Sequence, residues 1–273
     1  MTTGSHDSDT ARKEQLLEDG RDGQPVTPYR ALWAVLLLGW VVSYADRTLT
    51  GPVIAWMIQN KAGFIGDAAN PATLGGLVGS MFFLGYMLTQ YPGGRLGDRF
   101  GHREMIIVSL LAACVLTIVS GLMAGLVAFV AARVLTGLGE GVFYSNDRTL
   151  IINHTPVEKR TLGLGIVIAG LSIGLTVGII FTPIMISWGT ALGMGGDAWR
   201  MPFFVFAAFT FVVVLIAFSF FRAKLGGPMR LGPPFLRLLA FSAPTFVVIV
   251  ALFLLAETLR WPEWLMISAR SWE

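Results

Sequence analysis

The sequence predicts an all-α membrane protein built as a six-helix bundle followed by one further hydrophobic segment. Three observations predict it. The 273 residues are 54% hydrophobic and only 14% charged, with a mean hydropathy of +0.67, too apolar for a water-soluble domain. The apolar residues fall in runs of membrane length, without the alternation of barrel strands. The basic residues gather at every second connection. A hydrocarbon core of ~30 Å takes about 20 mostly apolar residues per helix, and lipid offers backbone groups no partner, so such runs are helices.

Residues 1–29 come first, polar and poor in large apolar groups, and are expected to form a disordered tail. They lack the apolar core of a cleaved signal peptide. Six spans follow near 31–58, 73–92, 105–123, 126–148, 162–188 and 201–221, giving a bundle over 30–222. The stretch 223–237 contains Gly226-Gly227-Pro228, Pro233-Pro234 and three basic residues, with Arg222 just before it, and reads as a linker. Residues 238–273 read as a seventh hydrophobic segment, near 239–259, with a Trp-rich, truncated or divergent C-terminus. Cys114, the single cysteine, lies inside the third span, so no intrachain disulfide can form and its expected role is packing. The pair Gly121/Gly125 and the trio Gly170/Gly174/Gly178 repeat every four residues, the spacing of small-residue ridges that let membrane helices approach closely.

With the N-terminus in the cytosol, thirteen basic residues (Arg12, Lys13, Arg21, Arg30, Arg95, Arg99, Arg103, Lys159, Arg160, Arg222, Lys224, Arg230 and Arg237) face inward, and only Lys61 and Arg200 face outward. The positive-inside rule therefore predicts this orientation, in a cell membrane, or the inner membrane if the source is bacterial. The sequence pI of 9.2 then reports topology, and no nucleic-acid partner is expected. The three histidines, His6, His102 and His154, lie in the tail and in loops, and no His-Glu-x-x-His, phosphate loop or cysteine cluster occurs. No enzyme activity, metal or cofactor is expected.

Ionisable residues inside spans mark functional pathways by default. Asp46-Arg47 interrupts the first span. In the fourth, Arg133, Glu140 and Asp147 follow one another at seven-residue steps, with Tyr144 four past Glu140, so all share one helix face. This stripe is placed to oppose Asp46-Arg47, either lining a polar cavity or forming a static salt-bridge network. Tyr44 and Tyr144 are candidates for lining such a cavity, with bundle packing as the alternative; Asp147 and Arg148, nearer the cytosolic end, read as structural or gating residues.

Between the second and third spans stand Gly93-Gly94-Arg95-Leu96-Gly97-Asp98-Arg99-Phe100-Gly101-His102-Arg103, read as a short, tight, basic turn. This motif resembles the loop between helices two and three of the major facilitator superfamily, with His102 where Arg or Lys is usual. The resemblance covers residues 30–222, the extent of an N-terminal half. It implies that Gly94, Asp98, Arg99, Gly101 and Arg103 form a conformational gating loop, with Asp98 meeting a helix N-terminus in a second six-helix half. Asp46-Arg47 together with Arg133-Val134-Leu135-Thr136-Gly137-Leu138-Gly139-Glu140-Gly141 narrows the likeness to the anion:cation symporters. Asn153 three residues before Pro156, and Leu175 after Gly174 where antiporters carry a Gly-Pro-x-x-Gly-Gly run, favour symport over drug efflux. What this resemblance implies is alternating-access transport of a small organic anion such as a carboxylate or sugar acid. Arg47 and Arg133 would neutralise the substrate, and Asp46 and Glu140 would carry a coupling proton, with Na+ as the alternative ion. The rival reading is a non-transporting half, or a half that works with a second one.

Overall fold

Proline and glycine set the helix ends. The computed structural model describes residues 28–66, 68, 70–226 and 229–258; of the expected tail over 1–29 only Pro28 and Tyr29 are among them, with Tyr29 already opening the first helix, and the Trp-rich stretch 261–264 lies outside them. Seven helices follow in order among the described residues: α1 Tyr29–Gln59, α2 Pro71–Phe100, α3 His102–Leu122, α4 Leu126–His154, α5 Arg160–Ala191, α6 Met201–Lys224 and α7 Gly232–Thr258. Each is long and apolar enough to cross a membrane. Pro71 and Pro202 sit in the first turns of α2 and α6, where a missing N–H costs nothing. Pro156 stands two residues past the end of α4 and keeps Thr155 extended. Two short 3₁₀ turns, Val157–Lys159 and Gly195–Arg200, lead into α5 and α6.

The eleven-residue basic turn is not a loop. α2 continues through Pro92, the glycines and Arg99 to Phe100, and α3 begins at His102, so only Gly101 is non-helical. Gly101 has φ +102°, a conformation that L side chains rarely adopt. The glycines before it serve contact rather than turning. A methyl group at Gly93 would stand 2.8 Å from the α-carbon of Val142, and one at Gly97 would strike Asn146. The segment 223–237 is mostly helical too: α6 runs to Lys224 and α7 opens at Gly232, with Pro233 and Pro234 in a first turn that needs no donors.

Bare backbones hold the bundle together along two seams. On the α1–α5 seam, a methyl group at Gly170 would lie 2.8 Å from the Leu37 carbonyl oxygen, and one at Gly178 would lie 2.8 Å from that of Ala45. Gly174 is tighter still against Val41. Both helices therefore repeat every four residues in register. On the α2–α4 seam, Gly85 faces the Val134 carbonyl, Gly137 that of Phe82 and Gly141 that of Tyr86. Gly121 packs on Phe203, whereas Gly125 has nothing within 4 Å and marks the start of α4 instead of extending a ridge. Cys114 is buried and its thiol donates to the Ala207 carbonyl of α6 at 3.3 Å.

α4 is the central helix, with 72% of its apolar window buried, against 22% for α5. The outer surface of α5 presents Ile173, Ile179, Ile180 and Phe181, suited to lipid and costly in water. α7 lies against α2 and α4, seating Ile249 and Phe253 in the same cluster as Val78, Phe129 and Val134.

Overpacking a seam of this kind costs roughly 1–3 kcal/mol. Gly174→Ala is expected to lower the thermal unfolding midpoint in detergent. Gly165→Ala, at a position on the same helix with open space around it, is expected to leave the midpoint unchanged or raise it slightly.

Candidate functional site

α1 and α4 meet through charges at mid-bundle. Arg47 Nε donates to Glu140 Oε2 at 2.8 Å, and the Ser43 hydroxyl donates to the same oxygen at 2.6 Å. Arg47 Nη2 reaches back to Ser43 Oγ at 3.3 Å. Both charged side chains are about as buried as a core residue, at 3% and 2% exposure. Arg47 Nη1 and Glu140 Oε1 have no hydrogen-bond partner among the described residues. Aromatic rings enclose the guanidinium: Tyr86 at 4.0 Å from its carbon to the ring centroid, Tyr44 at 4.5 Å and Phe82 at 5.7 Å, all within cation–π reach. The pair thus offers one free donor and one free acceptor inside an aromatic box.

The second pair differs. Arg133 Nη1 donates to Asp46 Oδ2 at 3.0 Å, while its Nε and Nη2 both donate to Ser120 Oγ, at 3.0 and 2.8 Å. Thr117 donates to the other Asp46 oxygen at 2.6 Å. Every polar atom of this pair is matched, and α1, α3 and α4 are tied together by it. Two arginines that look alike in sequence therefore have different chemistry: Arg133 is closed and Arg47 is open.

Two turns further along α4, Asp147 is fully buried and accepts from the Trp40 indole N–H at 2.6 Å. Tyr144 is 38% exposed; it stands edge-on to Trp40 at 5.9 Å and under the Arg148 guanidinium at 4.9 Å. The structure places it beside Trp40 and Arg148, whereas Tyr44 stacks on Arg47.

The basic motif lies at one end of the bundle. His102 bridges three helices: its Nδ1 donates to Asn146 Oδ1 at 2.8 Å and its Nε2 lies 3.4 Å from Asp98 Oδ1. Asn146 in turn donates to the Gly93 and Val142 carbonyls. This explains a histidine where the resembled pattern has a cation: an imidazole can join two partners. Asp98 is 73% exposed, Arg99 lies over Phe100, and Gly94 lies against Ser145. Arg103 donates to the Leu225 carbonyl at 3.0 Å and also to that of Gly226, capping the end of α6. It is therefore separated in role from the exposed Asp98 that it neighbours in sequence.

Ser43, Tyr86, Thr117 and Ser120 complete the site, and sequence reasoning passed over them. Ser43 stands one helical turn before Arg47 on the same face, and Thr117 and Ser120 are hydroxyls in an otherwise apolar span. Small polar residues inside a span are the signal that would have found them.

Removing one member of a buried ion pair costs roughly 3–5 kcal/mol, whereas replacing both by apolar residues is often tolerated. Asp46→Leu alone is expected to abolish folded protein or sharply lower its unfolding midpoint. Asp46→Leu with Arg133→Met is expected to recover most of it, read as monodisperse yield and thermal stability in detergent.

With this geometry in hand, comparisons with known proteins are specific. The sequence pattern of the Major Facilitator Superfamily matches residues 36–269. A stretch of 142 residues is 34% identical to "Probable anion transporter 6, chloroplastic" of Arabidopsis thaliana, covering 48% of this chain and 27% of that protein. Another of 156 residues is 35% identical to the "Voltage-gated purine nucleotide uniporter SLC17A9" of Rattus norvegicus, covering 55% of this chain and 33% of that one. The solved structure of a bacterial homolog to the human lysosomal transporter Spinster, inward-facing and occupied, superposes with a TM-score of 0.61 at 22% identity. It covers 77% of this chain and 47% of its own, a likeness of fold. The match thus spans between a quarter and a half of each of these proteins. The chain belongs to the Major Facilitator Superfamily and is a multi-pass membrane protein.

Proposed function

We propose that this chain supplies the anion-binding wall of a secondary transporter, and that it carries a small organic monoanion together with one proton. The observation that carries the reading is the Arg47–Glu140 pair, which keeps Arg47 Nη1 and Glu140 Oε1 unpartnered inside an aromatic enclosure. A guanidinium N–H is a strong donor to a carboxylate. Tyr44 and Tyr86, stacked on that guanidinium, would contact the body of the substrate. Relatives described as anion transporters support the substrate class.

Charge balance supports the coupling. Asp46, Arg47, Arg133 and Glu140 sum to zero. A carboxylate entering beside Arg47 adds one negative charge to a site out of water, and protonation of Glu140 removes one. A monoanion and a proton therefore enter or leave together at the least electrostatic cost. Asp46, held by Arg133 and Thr117, is the less accessible of the two carboxylates, so Glu140 is the coupling residue and Arg133 the brace behind it. Sodium coupling is the alternative that the same test excludes or supports. The basic residues at the motif end favour a cytosolic N-terminus.

A second reading draws on chain coverage: the matched stretch spans 27% and 33% of the curated relatives. On this reading the binding wall works only with a second six-helix half, and Asp98, exposed at the basic end, docks on it.

Proteoliposomes carrying the chain, tested with labelled gluconate and benzoate under an inward proton gradient, separate these readings. Uptake is expected to fall by roughly 10- to 100-fold in Arg47→Gln, the loss of one charged hydrogen bond. In Glu140→Gln, gradient-driven accumulation is expected to vanish while counterflow exchange survives. Uptake that follows a sodium gradient instead overturns proton coupling. Uptake seen only on co-reconstitution with a second half supports the second reading, and none in either form sinks both.

A further inference from the structure

Asp147 lies outside the two mid-bundle ion pairs and is the most deeply buried carboxylate among the described residues. It is fully buried. Its Oδ2 accepts one hydrogen bond, from Trp40 Nε1 at 2.6 Å, and its Oδ1 has no hydrogen-bond partner among the described residues. Arg148 Nε stands 3.6 Å from Oδ1, beyond hydrogen-bond range. The Nε and Nη2 of Arg148 are themselves buried and unpartnered. Asp147 Oδ1 and Arg148 Nε thus face each other as an ion pair without a hydrogen bond, and Arg148 Nη2 has none either; out of water each missing hydrogen bond costs free energy.

We propose that Asp147 is a second proton-binding carboxylate, a way station between Glu140 and the basic end of the bundle. The proposal rests on the proton-coupled reading above. Glu140 and Asp147 are seven residues apart, or ~10 Å along the axis of α4. Each has one unpartnered carboxylate oxygen, Glu140 Oε1 and Asp147 Oδ1. A proton leaving Glu140 breaks its O–H bond at Oε1, crosses through water and forms a new one at Asp147 Oδ1. It then passes to solvent at the basic end, and no other bond changes. Arg148 serves both states. Its guanidinium stands 3.6 Å from Asp147 Oδ1 and at the same time over the Tyr144 ring at 4.9 Å, so it holds the ionised carboxylate and keeps an aromatic partner when the carboxyl is neutral.

The surroundings leave few competitors for this role. α1 contributes the Trp40 indole at this level. α3 brings His102 to the neighbouring Asn146, with Arg103 paired to Glu104 in the same turn. α2 contributes Asp98, paired with His102. α5 carries Arg160 at its start and no other charge, and α6 carries Arg222 and Lys224 in its last turn.

Trp40 provides the readout, because its N–H rests on the titrating carboxylate. The emission of the 273-residue chain in lipid nanodiscs, minus that of Trp40→Phe, is followed across a pH titration without substrate or gradient. The difference signal is expected to contain one titrating component. It should be lost in Asp147→Asn, which keeps an acceptor for Trp40, and kept in Asp147→Glu and in Glu140→Gln. A flat difference signal, or a component that survives in Asp147→Asn, overturns the proposal. Loss in Glu140→Gln with Asp147 intact overturns it too, by reassigning the signal to Glu140. Because no transport is measured, uptake can fail with this titration intact, and the two readings stand or fall separately.

Discussion

A charge moved out of water into a lipid-embedded bundle loses several kcal/mol of hydration, so Asp46, Arg47, Arg133 and Glu140 are tolerable only as two matched pairs. That requirement explains much of the local architecture. It places hydroxyls at Ser43, Thr117 and Ser120, each against a charged group. It brings α3 into the core, since Asp46 and Arg133 lack enough partners on their own helices. It also separates the pairs by function: the fully bonded one ties three helices together, and the one with spare atoms can answer to a ligand.

The pairs can form only because the helices come close enough, and glycine sets that distance. On the α1–α5 seam, Gly170, Gly174 and Gly178 accept the backbone of Leu37, Val41 and Ala45, which fixes the rotation of α1. That rotation turns Ser43, Asp46 and Arg47 toward α4. On the α2–α4 seam, Gly137 and Gly141 seat Phe82 and Tyr86, and the same contact brings the Tyr86 ring onto Arg47. Backbone packing and site geometry are one arrangement, because the residues that make the seam alternate with those that make the site.

Much of this was legible in the sequence. Apolar runs located the seven described helices, and the seven-residue steps from Arg133 to Asp147 placed three charges on the face that meets α1. Other features were not legible, for physical reasons. Helix propensity gives glycine and proline to turns, so Gly93 to Gly97 read as a loop; burial against Val142 and Asn146 reverses that preference. The difference between Arg47 and Arg133 depends on which helix brings a hydroxyl within 3 Å, and periodicity on a single helix cannot state that. Gly125 matched a ridge spacing but begins a helix, because spacing alone does not say what lies opposite.

The single-residue connection at Gly101 has a mechanical consequence. α1 reaches α2 through residues 60–70, and α6 reaches α7 through 225–231, lengths that can absorb a twist. α2 and α3 have no such slack. With Gly101 the only non-helical residue and His102 wedged between Asp98 and Asn146, the ends of the two helices are tied together, so a displacement of one is carried to the other. The two behave as a bent lever whose elbow lies at the basic end and whose far arm carries Thr117 and Ser120, the hydroxyls that hold the closed ion pair.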